Sequence, residues 1–152
     1  MTFVFSFFFS FTASYFFAFI YDAPKKLFIP AGLAGASGYI VHFIFIETMH
    51  MDTIYTSLIG SLTLGLISQL LSRLLKSPVV IFMIPGIIPL VPGSLAFRAT
   101  QQLVTLDFTS AGTTFIRAIL IAGSIALGLL LSDQLSKTLN ITKYWRVKKN
   151  KL

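Results

Sequence analysis

The chain has 152 residues, of which 55% are hydrophobic, 14% aromatic and 11% charged, with a mean hydropathy of +0.84. Soluble domains carry about 25% charged residues, and twelve Lys and Arg with five Asp and Glu cannot coat a water-exposed surface over this much apolar mass. A soluble enzyme and a disordered chain are both excluded, and with no Cys so are disulfides, thiolate metal sites and a Cys nucleophile.

The charges fall in clusters and leave five apolar runs, each near the roughly 20 residues a helix needs to cross a bilayer. Residues 2–21 have no charge and hold nine Phe between Phe3 and Phe19. This run reads as bulky all round and lipid-facing, and Met1 and Thr2 lack the positive start of a signal peptide. Residues 27–46 contain only His42, residues 53–72 and 77–97 contain no charge, and residues 113–132 contain only Arg117. Such runs are too long for strands and lack the alternation of a membrane barrel. The expected fold is an all-α integral membrane protein of five transmembrane helices, one domain over residues 1–136, followed by a basic tail over residues 137–152.

Lys25 and Lys26, Arg73 and Lys76, and the basic tail mark three cytoplasmic regions. The stretch from Glu47 to Asp52 has no Lys or Arg, and after the fourth run only Arg98 precedes the fifth. The amino terminus is expected outside and the carboxyl terminus inside. Tyr144 and Trp145 among the tail cations suggest an anchor on anionic lipid, with no fold for reading nucleic acid.

Small residues recur at helical spacing: Ala31 with Gly35, Ala34 with Gly38, then Ser57, Ser61 and Gly65, then Ser124, Gly128 and Ser132. Lipid gives helices no hydrophobic reason to associate, so close backbone approach must hold them together. The pattern fits packing within the chain or an additional seam in a higher oligomer.

The fourth run breaks its own rules. Pro85, Gly86, Pro89, Pro92, Gly93 and Ser94 lie within ten residues, and each proline lacks an N–H and crowds the carbonyl four residues back. The carbonyls of Ile81, Pro85 and Ile88 would be freed near mid-membrane, which is tolerated only inside protein or beside a wet cavity. Broken helices of this kind build transporter sites. Ser94 is the expected N-cap of a second half-helix whose positive end, with Arg98 one turn on, would favour a carboxylate. The alternative is a kinked helix without a site.

The run PGIIPLVPGSLAF, Pro85 to Phe97, followed by Arg98, resembles the proline-glycine segment of the threonine/serine exporter family. The resemblance extends to the turn Tyr21 to Lys26 and to Gly32, Gly35 and Gly38, covering roughly residues 22–132. Within that family the chain resembles the short subunit of the split form, which corresponds to the carboxyl-terminal membrane half of the fused exporters. The resemblance implies proton-driven export of small carboxylates or amino acids, threonine and serine or succinate, across the cytoplasmic membrane. It also implies a longer partner subunit.

Candidates for proton coupling are His42, suited by its ordinary titration range, Arg117, and the border residues Asp22 and Asp133, with Asp107 further from the spans. Each has a plain alternative: a hydrogen-bonded His, an Arg snorkelling to the surface, solvated carboxylates. Glu47, His50 and Asp52 near His42 do not match the two-His spacing of a helical zinc site, and there is no phosphate-binding glycine loop. No metal, no cofactor and no enzymatic activity are expected. The rival function is a non-transporting membrane scaffold.

Overall fold

The computed structural model describes residues 2–138, and the tail anchor expected beyond Lys137 lies outside the described residues. Those residues are helical throughout. The helices are α1 (Thr2–Ile20), α2 (Phe28–Met49), α3 (Thr53–Leu75), α4 (Val80–Ile87), α5 (Gly93–Val104) and α6 (Phe108–Thr138), with 3-10 turns at Lys25–Leu27 and Ile88–Leu90. Helices α1, α2, α3 and α6 are long and apolar enough to cross a membrane. The α4–α5 pair, bent by 50°, makes a fifth crossing if counted as one broken span.

The chain reverses direction where local chemistry ends each helix. His50 and Lys76 take left-handed backbone, φ 50 in each case, and return their N–H groups to Ile46 and Ser72, closing α2 and α3 without a glycine. Asp52 opens α3 by accepting from the Ile54 N–H at 2.9 Å. Asp107 accepts from the Ser110 N–H at 3.2 Å at the start of α6, and its bonds with the Ser110 hydroxyl and N–H hold its carboxyl below the usual range.

Helices α1, α2 and α3 succeed one another as antiparallel neighbours, α6 packs on α3, and α4 sits among α1, α2 and α3. Lys25, Lys26, Arg73 and Lys76 thereby gather at one end of the bundle, the basic end. Small residues carry the crossings. A Cβ on Gly38 would stand 2.8 Å from the Leu64 Cβ and 3.0 Å from the Gly60 carbonyl, and one on Gly60 would stand 2.8 Å from the Gly38 carbonyl. Side chains on Gly65 and Gly128 would collide with Ser132 and Ser61 across the α3–α6 seam. Of the two uses open for these residues, packing within the chain is the one seen: Ala31, Ala34, Gly35 and Gly38, Ser57, Ser61 and Gly65, and Ser124, Gly128 and Ser132 are all buried.

Two helices depart from their sequence reading. Helix α1 is not bulky all round: Ser10, Ser14 and Ala18 recur every four residues and are buried, while Phe8, Phe16 and Phe19 are exposed at 60%, 57% and 61%. A stripe of small side chains on one face admits α2 and α4 closely whatever the other faces carry. Helix α6 has 31 residues, about 46 Å at 1.5 Å per residue, against about 30 Å of hydrocarbon. It runs parallel to α3, with Arg117 beside Asp52 and Ser136 beside Arg73, so its first turns stand beyond the level where α3 begins.

Candidate functional site

The interrupted segment builds the site. Helix α4 continues through Pro85, and Pro85 offers no N–H to the Ile81 carbonyl, nor Pro89 to that of Pro85. The third carbonyl expected to be free is not: Val91 N–H donates to Ile88 at 3.3 Å as well as to Ile87 at 3.2 Å. The tight 3-10 turn brings that donor within reach. The helix breaks at Val91 and Pro92, where Gly93 N–H closes back onto the Val91 carbonyl at 2.8 Å. Helix α5 is capped two residues earlier than the sequence suggested, with Pro92 at its cap position and no side-chain cap. Ser94 therefore lies inside the helix rather than capping it, because the turn at Pro92 already sets the first helical carbonyl, which accepts from Ala96 at 3.1 Å.

Two cavities flank α4 on the side of α1. The one further from the basic end, about 520 Å³, is lined by Thr2, Phe5, Ser6, Phe9, Ser10 and Ala13 of α1 with Tyr39 and Pro89. The one at the basic end, about 220 Å³, is lined by Tyr21, Asp22 and Ala23 with Val80, Ile81, Ile84 and Pro85. Pro89 thus walls one cavity and Pro85 the other. Ile81 and Pro85, whose carbonyls lack their helical donors, both line the basic-end cavity. Gly86 is buried between them, where a Cβ would strike Leu64 and stand 3.4 Å from Gly35.

The other candidate residues do not gather here. Of the four coupling candidates, Asp22, in left-handed backbone with φ 50, lines one of these two cavities and the other three line neither. His42 is half-buried on α2, its ring 5.9 Å from that of Tyr39, with Nδ1 buried and unpartnered among the described residues. Arg117 pairs with Asp52 at 3.2 Å, both exposed. Asp133 pairs with Lys137 at 2.6 Å and accepts from Gln69 at 3.1 Å. Arg98 is exposed on α5, which packs on α6 through the buried Ala99, and lines neither cavity. Gly93 has open space where a side chain would be. The stripe of Thr2, Ser6, Ser10 and Ser14 and the ring of Tyr39 escaped the sequence reading, although a four-residue period of hydroxyls in a Phe-rich helix was there to be seen.

Four helices of span length and a fifth, interrupted segment define a multi-pass membrane protein by length and composition. The family described as threonine/serine exporter, ThrE, matches residues 6–135, and the chain belongs to that family. No solved structure matches it.

Proposed function

We propose that the chain moves a small hydroxy amino acid, threonine or serine, along the α1–α4 side of the bundle, from the basic-end cavity to the far one. The observation that carries this is the pair of cavities separated by a single turn of the Pro85–Pro89 segment. Their chemistry favours a zwitterion over a dicarboxylate such as succinate. Among the described residues neither lining includes Lys or Arg, the basic-end wall has the Asp22 carboxylate, and the prolines leave carbonyl acceptors there. Acceptors suit an ammonium group, whereas on this wall a dianion would meet the like charge of Asp22 and no cation.

The four Lys and Arg at the basic end support a cytoplasmic location for it, with the amino terminus outside. Placement in the cytoplasmic membrane, drive by the proton gradient and work beside a longer partner subunit rest on the resemblance to the short subunit of split exporters. Arg98, on the far side of the break, remains the candidate for drawing the carboxylate outward. A scaffold would have no use for interrupted backbone between two cavities.

The test is efflux of labelled threonine, serine and succinate from preloaded cells that express this chain, the longer subunit, or both. Threonine and serine efflux only with both, abolished by a protonophore, is expected. No flux in any combination, with both proteins in the membrane, would sink the reading, and flux of succinate alone would reverse the choice of substrate.

A further inference from the structure

The two cavities are kept apart by very little. On α1 the far cavity reaches Ala13 and the basic-end one begins at Tyr21, and the interval on the inner face is filled by Ser14 and Ala18, both fully buried. Opposite them stand Gly35 of α2 and Gly86 of α4. A Cβ on Gly35 would collide with the Ser14 hydroxyl and come within 3.0 Å of the Gly86 Cα. Around Gly35, then, α2 meets the Ser14 hydroxymethyl group of α1 on one side and the Gly86 backbone of α4 on the other.

The Ser14 Oγ makes no hydrogen bond among the described residues. Most helical hydroxyls in this chain do: Ser10 donates to the Ser6 carbonyl at 2.7 Å, Ser37 to Ala34 at 2.6 Å and Ser132 to Leu129 at 2.7 Å. Ser57 and Ser68 are also buried without partners, but they belong to α3, which lines neither cavity. An unpaired buried hydroxyl destabilises the fold that holds it, and Ala18 shows that a methyl group fits the same stripe one turn away.

We propose that Ser14 is the specificity-determining residue of this seam, its hydroxyl pairing with the side-chain hydroxyl of the amino acid as α1 and α4 part. This rests on the transport route given above. The freed carbonyls of Ile81 and Pro85 take the ammonium group, which leaves to Ser14 a group that both donates and accepts, as another hydroxyl does. In the closed seam the Ser14 hydroxyl is without a partner among the described residues, and the substrate relieves it only when the seam opens. Substrate binding thus favours the open state by its differential interaction. Gly35 carries no side chain because a Cβ there would push against Ser14 and the Gly86 Cα and prop the seam apart. A site that hydrogen-bonds a substrate hydroxyl rejects analogues lacking it.

The test uses this chain with its longer partner in cells, and compares threonine with 2-aminobutyrate, which has the same skeleton without the hydroxyl. The wild type is expected to prefer threonine. Ser14→Ala should cut threonine flux about tenfold, the weight of one hydrogen bond, while leaving 2-aminobutyrate flux unchanged. Equal loss for both substrates, or no loss, would overturn the assignment. Because the chain has no Cys, Ser14→Cys provides a single thiol in this subunit for a readout independent of transport. Labelling of that thiol by a small water-soluble reagent, in intact cells or inverted vesicles and slowed by threonine, supports the seam as the substrate path. A thiol unreactive from both faces overturns it. Absence of threonine flux in the wild type would instead defeat the transport reading, with the thiol still judging the seam.

Discussion

Two seams of this bundle are built on opposite plans. Along α3 and α6 small residues interlock at Ser61 with Gly128 and Gly65 with Ser132, and polar links recur at both ends: Asp52 with Arg117, Gln69 with Asp133, Arg73 with Ser136. Along α1 and α4 the described α1 hydroxyls that bond at all bond within their own helix, as Ser10 and Thr12 do. Cavities open there on both sides of one close approach. Both seams use the same small residues. What differs is whether polar groups are spent across the interface, and the difference teaches which side of the molecule is a frame and which can part.

If α3 and α6 are the frame, filling their seam should do the most damage. Gly128→Leu would drive a side chain into Ser61 and the Leu58 backbone, and overpacking of this kind costs about 1–3 kcal/mol or more. Lost membrane accumulation or a sharply lower melting temperature in detergent is expected; normal stability would show that the seam yields. Next comes the interrupted segment. Pro89→Ala restores an N–H toward the Pro85 carbonyl and should carry α4 through the 3-10 turn up to the break at Val91 and Pro92, reducing flux about tenfold at matched membrane level. Wild-type flux would reduce the break to a kink.

Smaller effects sharpen the contrast. Arg98→Ala should lower export about threefold through weaker attraction of the carboxylate, and an unchanged rate would remove Arg98 from the path. The Asp52–Arg117 pair is exposed on both sides, so Arg117→Gln should cost under about 1 kcal/mol, less still in high salt; a larger loss in a thermal melt would make that pair a true clamp. Asp107 is smallest. Its carboxyl is held low by Ser110, so its cap on α6 is fully present above the ordinary carboxylate pKa of about 4 and fades as the pH falls through the lower folded value. Asp107→Asn should remove that acid sensitivity from the melting curve, and a curve of unchanged slope would show that the cap contributes nothing.

Much of this was legible in the residues. Charge clusters mark where the helices turn, and the three prolines mark the broken one, because both follow from what a bilayer forbids. The inner face of α1 was hidden by its composition: nine phenylalanines drown out Ser6, Ser10 and Ser14 until the period is counted. The pairing of α3 with α6 was not legible at all, since parallel neighbours far apart in the chain leave no local signature. Nor was the fate of the Ile88 carbonyl, which depends on the 3-10 turn choosing Val91 as its donor. Arg98 was singled out because it follows the break, but sequence distance says nothing of the direction α5 takes after a 50° bend.

The burial of α4 also bears on how the protein is made. Residues 77–97 are one uncharged run, long enough for the insertion machinery to treat as a single span. Once in the bilayer, the carbonyls of Ile81 and Pro85, deprived of their usual helical donors, are sheltered from lipid where α1, α2 and α3 pack on α4. The bend itself is set by the prolines, and what the first three helices supply is the surface that shelters it.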